Sequence, residues 1–149
     1  DAYRAFWPGL GADWQEGSPG RIVTDREYDI HEEGTPPSRT IVLAAGYNEA
    51  LIYRYWDSLI RQPLDYRNTG YNCCGAVAAS IRDGFPVGSQ RQAPAYPPVS
   101  SAGGYLPIGY SNPYALEDWV TNVNTWITLR ARGPITVPEV VSHGHHDRS

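Results

Sequence analysis

The sequence predicts an α+β fold in which helices pack on a small antiparallel sheet. Hydrophobic residues make up 41% of the 149 positions, which is enough to bury one sizeable core. Short β-branched runs alternate along the chain with stretches whose apolar residues recur at helical spacing. We therefore expect one domain over residues 1–133, followed by an extended or disordered tail over residues 134–149.

The amino-terminal third predicts two strands. Residues 1–19 are aromatic and rich in Gly and Pro, so we expect them to pack on a sheet edge without forming an element of their own. Runs 21–24 and 39–44 are β-branched and bounded by Gly or Pro, which is typical of strands. The acidic stretch 25–33 lies between these two strands.

Three helices are predicted after these strands. The first begins near Asn48 and stops at Pro63, the second spans residues 73–82, and the third follows Asn112 and Pro113. Residues 85–110 show neither the helical nor the strand spacing of apolar residues, and this stretch is too long for an ordinary connection. Their interpretation stays open between a functional loop, the wall of a substrate groove and a mobile excursion.

Composition excludes some functions and leaves others open. The net charge of −4 comes without a basic stripe, and no apolar run approaches the ~20 residues of a membrane span, so we expect no nucleic acid and no membrane span. The first residues lack a signal peptide. Met is absent even at position 1, which predicts processing from a longer polypeptide. Lys is also absent. A high-GC genome, which favours Arg codons, is one explanation, and the avoidance of ubiquitin acceptors by a toxin that acts inside eukaryotic cells is another.

The two cysteines of the chain stand at the predicted start of the second helix. Asn72 is a good N-cap, which makes Cys73 the first helical residue and Cys74 the second. Unpaired N–H groups and the helix macrodipole stabilise a thiolate at that position. The alternative is a structural role, because buried cysteines are common small hydrophobes. Neither a disulfide nor a metal site is predicted, and no cofactor is expected.

The surroundings of the cysteines carry a resemblance to a known family. They include Phe6-Trp7-Pro8, the run 28–34 before two prolines, the apolar run 41–43, the aromatic helix end 53–56 and Tyr71-Asn72-Cys73. With them the chain resembles bacterial papain-like effector or polymorphic-toxin domains, which are similar to circularly permuted members of the NlpC/P60 and lecithin:retinol acyltransferase-like superfamily. The resemblance implies a papain-like α+β fold and a thiol enzyme whose Cys73 attacks an acyl carbon, with Cys74 as a neighbour.

The resemblance also implies a histidine base, and here the sequence departs from the pattern. In the permuted arrangement the histidine lies on a strand before the aromatic-proline segment, so its position would fall upstream of Asp1. His31 is the best internal candidate, with Asp29 or Glu32 to orient it, although a solvated surface histidine is the alternative. The remaining histidines, at positions 143, 145 and 146, are typical of a tag-like tail.

Two functions of different classes follow. The first is a cysteine hydrolase or acyltransferase that acts on an amide, peptide or thioester bond of a protein or peptide-like substrate. It would be a secreted or delivered bacterial effector acting in a target cell, with an inhibitory immunity protein or a complementary upstream chain as partner. The second is a non-catalytic module, or degenerate papain-like fragment, that binds a protein through its Tyr- and Pro-rich loop. Thiol reactivity separates the two.

Overall fold

The computed structural model describes residues 3–9, 17–37, 39–67, 71–95, 100–101, 104–105 and 113–132. Within these ranges the chain is α+β, as predicted, with a three-stranded antiparallel sheet, a two-stranded hairpin and four helices. The elements are β1 (Ala5–Pro8), β2 (Ser18–Val23), α1 (Arg26–Glu33), α2 (Glu49–Arg61), β3 (Asp65–Tyr66), α3 (Cys73–Asp83), β4 (Ser100–Ser101), β5 (Gly104–Tyr105) and α4 (Pro113–Ala131).

The sheet has the order β1-β2-β3, with β2 in the centre. All four residues of β1 pair with β2, from Ala5 opposite Val23 to Pro8 opposite Gly20. β3 pairs only with the first two residues of β2. The expectation that residues 1–19 form no element is therefore wrong at residues 5–8 and at residues 18–19, where β2 begins before the predicted strand 21–24. Pro8 is tolerated because it lies at the end of an edge strand.

The predicted strand 39–44 is the second correction, because residues 39–44 form no strand. Two of its backbone groups bond to the Asn124 side chain of α4 instead of to a neighbouring strand. The Asn124 Oδ1 atom accepts from the Ala44 N–H at 3.0 Å, and its Nδ2 atom donates to the Val42 carbonyl at 3.0 Å. The apolar side chains of Ile41 and Leu43 pack against the core beneath α4. The β-branched pattern of residues 39–44 therefore reflects the burial of one side of this segment and not pairing with a neighbouring strand.

The third correction concerns the acidic stretch, which is the helix α1 and not a connection between strands. Asp25 caps its start by accepting from the N–H groups of Glu27 at 3.0 Å and Tyr28 at 3.3 Å. Gly34 caps its end in the left-handed conformation, with φ of 78°. None of the residues of α1 is buried, so the caps, more than an apolar stripe, define this helix.

The three predicted helices are confirmed as α2, α3 and α4. Asn48 caps α2 and Asn72 caps α3, each with its side-chain oxygen. Gly84 follows α3 at a point where a Cβ atom would lie 2.5 Å from Ile52 of α2, so only glycine allows this approach of the two helices. Pro113 is the first residue of α4.

Helix α3 lies between two hydrophobic clusters and joins them. On one side Ala76 packs with Phe6, Trp56 and Leu59. On the other side Ala78 and Ile81 belong to a cluster formed mainly with α4 and Phe85, whose members are Phe85, Trp119, Val120, Val123 and Ile127. Small residues on α3 let both clusters approach its backbone closely, which fixes the position of its first turn.

The long Pro-, Gly- and Ser-rich stretch is described only in part. Residues 85–95 fold as successive turns that are tied to α4, because the Trp119 indole N–H donates to the Pro94 carbonyl at 2.9 Å. Further on, β4 and β5 form a minimal antiparallel hairpin. The predicted tail over residues 134–149 lies outside the described residues.

Candidate active site around Cys73

Cys73 is the first residue of α3, and its local geometry follows from the capping of that helix. Asn72 is only 4% exposed, and its Oδ1 atom accepts from the Gly75 N–H at 3.0 Å. The Asn72 carbonyl accepts from the Ala76 N–H at 2.9 Å. These two caps leave the N–H groups of Cys73 and Cys74 at the open end of the helix, where they favour negative charge.

The two adjacent thiols have different environments. Cys73 is exposed and Cys74 is buried. The pKa of Cys73 is lowered from 9.0 to about 6, first by the hydrogen bond from the Cys74 thiol and then by those from the Tyr66 hydroxyl and the Cys74 N–H, against an opposing effect of burial. The pKa of Cys74 is raised, because its proton is held by Cys73 and because it is buried. The pair therefore carries its negative charge on Cys73.

Tyr66 is the strongest contact of Cys73 from outside α3. It stands on β3, where it pairs with Ser18 of the central strand, and its ring lies 5.3 Å from that of Phe6. Burial raises the pKa of Tyr66, and so do the charge of Cys73 and the hydrogen bond to it. The hydroxyl accordingly keeps its proton and donates a hydrogen bond to the Cys73 sulfur, which stabilises the thiolate form.

Cys73 lines a cavity of about 470 Å³, which is within the usual size range of small-molecule sites. Its walls come from β1 and the two residues before it, from α1, from β3 and from the first turns of α3. The lining residues are Tyr3, Arg4, Ala5, Phe6, Trp7, Pro8, Asp29, Glu33, Tyr66, Cys73 and Val77.

Asp29 fixes one wall of this cavity. Its Oδ1 atom accepts from the Trp7 indole N–H at 2.5 Å, and its Oδ2 atom accepts from the Tyr3 hydroxyl. Burial and this carboxylate together raise the pKa of Tyr3 to about 12. The sequence-based expectation was that Asp29 orients a histidine, whereas its contacts join α1 to β1 and hold two aromatic side chains at the cavity.

His31 is not among the residues that line the cavity. Its side chain is 86% exposed, and its Nδ1 atom lies 3.8 Å from Glu32 on the solvent side of α1. Helical geometry explains the separation, because Asp29 and Glu33 are four residues apart on one face and His31 lies between them on the other. No contact joins His31 to Cys73 or to Asp29. The histidines at positions 143, 145 and 146 lie outside the described residues.

Sequence analysis missed Glu33, Tyr66 and the aromatic residues of β1 as site residues. The spacing of Asp29 and Glu33 would have placed both carboxylates on one face, once Asp25 and Gly34 were recognised as helix caps. Tyr66 gave no signal, because a two-residue strand has no period. Its position is set by the fold alone.

The described part of the chain offers no group of three or more His, Cys, Asp or Glu side chains that could hold a metal ion. Within the same residues, no helix combines the length and the apolar character needed to cross a membrane. No family model, curated protein or solved structure matches the chain, so its function has to be inferred from its own residues.

Proposed function

We propose that Cys73 is the nucleophile of a thiol-dependent hydrolase or acyltransferase that acts on an amide, peptide or thioester bond. One observation carries the proposal. The exposed thiol at the start of α3 faces a cavity of about 470 Å³ and receives hydrogen bonds from Tyr66 and from its own helix. A surface thiol without a function needs neither the cavity nor the donors that favour its charged form.

The chemistry follows from this placement. The Cys73 thiolate attacks the acyl carbon, and the electron pair of the carbonyl bond moves to its oxygen. The positive end of the α3 dipole stabilises that oxyanion, while the N–H groups of Cys74 and Cys73 donate to the Cys73 sulfur and to the Tyr66 hydroxyl. The carbonyl bond re-forms as the leaving group departs with the bonding electrons, which leaves an acyl-thioester on Cys73. Water then gives hydrolysis, and an amine or thiol gives acyl transfer.

A proton donor for the leaving group is the remaining requirement. Glu33 lines the cavity and acts on Cys73 through its negative charge, which opposes ionisation of the thiol, so this carboxylate is not the proton donor. In the resemblance to papain-like effectors a histidine fills this role. The same resemblance underlies the proposal of a papain-like domain of a secreted or delivered effector with a protein or peptide substrate.

Covalent trapping tests the proposal. The chain is incubated at pH 8.5 with p-nitrophenyl acetate or an acetyl thioester and examined by intact-protein mass spectrometry. We expect one acetyl group on the wild-type chain, mapped to Cys73, the same adduct on Cys74→Ala, and none on Cys73→Ser. At pH 8.5 the Cys73 thiol ionises even without the hydrogen bond from Cys74. Acetylation of Cys74 alone, or no adduct at all, contradicts the proposal and supports a non-catalytic interaction module.

A further inference from the structure

The cavity combines aromatic walls with carboxylates. Tyr3, Phe6, Trp7 and Tyr66 contribute rings, and Asp29 and Glu33 contribute acidic groups. Aromatic faces attract organic cations through their quadrupoles, and nearby carboxylates strengthen this attraction. The Trp7 ring already has one cation beside it. The Arg21 guanidinium carbon is 5.8 Å from the centroid of this ring, and Arg21 is not part of the cavity lining.

The charges of the cavity do not cancel. Its one cationic lining residue is Arg4, and the Arg4 Nη2 atom lies 3.3 Å from Asp57 Oδ1, so a carboxylate outside the cavity compensates this guanidinium. Asp29 accepts its hydrogen bonds from two neutral side chains, those of Tyr3 and Trp7. The Glu33 carboxylate has no hydrogen bond or ion pair among the described residues. The lining residues therefore carry a net negative charge, and the Glu33 carboxylate is available to a ligand.

We propose that the cavity binds an alkylammonium group, and that the acyl donor attacked by Cys73 carries this group near its reacting carbon. The inference rests on the proposed function for the role of Cys73, and it adds the substrate class. Glu33 pairs with the ammonium group, while Trp7 and Tyr66 contact its methylene or methyl groups. A volume of about 470 Å³ accommodates a chain the size of a lysine side chain beside the thiol.

Charge-selective labelling of Cys73 tests the proposal without requiring turnover. Two methanethiosulfonate reagents of similar size are compared, one with a trimethylammonium-ethyl group and one with a sulfonato-ethyl group. The rate of Cys73 modification by each reagent is divided by its rate with glutathione. We expect the normalised ratio of cationic to anionic rates to be about ten. The two nearby carboxylates attract the cationic reagent and repel the anionic one.

Matched variants locate the effect. We expect Glu33→Gln to lower the normalised ratio about threefold or more, and Glu32→Gln to leave it within about 1.5-fold. Glu32 is the neighbouring residue of α1 and does not line the cavity, so it controls for net charge. A wild-type ratio near one overturns the inference. An equal effect of the two variants also overturns it, because the selectivity would then come from the general charge of the protein.

A binding measurement with a neutral reagent completes the test. We expect pentylammonium to slow the alkylation of Cys73 by iodoacetamide in the wild type at concentrations where 1-pentanol does not, and Glu33→Gln to lose this protection. Equal protection by the two compounds overturns the cationic site. Failure of acetylation together with retained charge selectivity would remove the proposed function and leave the ammonium site in place. Acetylation of Cys73 without charge selectivity would remove the ammonium site and leave the proposed function in place.

Discussion

Cys73 and Cys74 are adjacent and chemically different. The difference arises because the first residue of a helix points toward the open end, where it gains donors, whereas the second turns into the packing side of α3. Cys74 and Tyr66 both donate hydrogen bonds to the Cys73 sulfur, and each has its own pKa raised in return. The lowered pKa of Cys73 is thus a property of three residues from two elements.

The Tyr66→Phe variant separates the contribution of β3 from that of the helix. We expect its Cys73 alkylation rate at pH 6 to fall roughly fivefold, because one hydrogen bond to a charged acceptor is worth about 1.5 kcal/mol, or about one pKa unit. Iodoacetamide labelling followed by peptide mass spectrometry measures the rate. Tyr114→Phe, at an exposed position on α4, is the control and should not change it. An unchanged rate in Tyr66→Phe would show that the helix alone lowers the pKa.

The sequence revealed some site residues and not others for a physical reason. Cys73 and Asn72 were predicted because capping is local, and a run of small residues after an asparagine specifies the helix start. Asp29 is predicted from the sequence to orient a histidine, whereas its partners in the structure are Tyr3 and Trp7. Glu33 and Tyr66 reach the cavity through the packing of α1 and β3 against β1 and α3, and no short pattern records such contacts.

At the scale of the elements, the caps carry much of the structure that positions the site. α2 and α3 start with the same device, an asparagine whose side chain accepts from the backbone three residues later. The two caps differ in burial, since Asn48 is exposed and Asn72 is buried. This makes them a matched pair for testing what the cap of α3 does.

We expect Asn72→Ala to lower the free energy of unfolding by about 2 kcal/mol and Asn48→Ala by about 1 kcal/mol, because a buried cap leaves an unpaired N–H that water cannot reach. Urea denaturation measures both. Only Asn72→Ala should also slow Cys73 alkylation at pH 6, since it loosens the turn that holds the thiol. Equal loss of reactivity in both variants would indicate a global effect instead of a local one.

The elements that sequence analysis assigned wrongly have two causes, one local and one long-range. α1 lacks a buried stripe, so its caps, Asp25 and Gly34, are its only sequence signal. Residues 39–44 have the composition of a strand, but the strand's usual partner is replaced by the side chain of Asn124, eighty residues away. β1 is a four-residue strand that exists because β2 pairs with it. Long-range partners decide the cases of residues 39–44 and of β1, whereas α1 is decided by its own caps.

At the scale of the whole molecule, Asn124 connects α4 to the chain before α2. Besides its contacts to Val42 and Ala44, its Oδ1 atom accepts from the Tyr47 hydroxyl at 3.0 Å. These bonds hold the segment that covers the cluster between α3 and α4.

We expect Asn124→Ala to lower the free energy of unfolding by about 2 kcal/mol, because three hydrogen bonds of about 0.5–1.5 kcal/mol each are lost and two backbone groups lose their partner. Asn122→Ala, at an exposed position on the same helix, should change stability by less than about 0.5 kcal/mol. Chemical denaturation followed by tryptophan fluorescence compares the two. Equal stability of both variants would mean that the segment is held by apolar packing alone.

The central claim is that the Cys73 thiol ionises near neutral pH, and the pH dependence of alkylation tests it most directly. Because the pKa of Cys73 is lowered to about 6, the reactive thiolate predominates at neutral pH and is lost as the pH falls through about 6. We predict that iodoacetamide labels Cys73 with a midpoint near pH 6 and leaves Cys74 unlabelled below pH 9. A Cys73 midpoint near the free-cysteine value of about 8.5, or equal labelling of the two cysteines, would contradict the account.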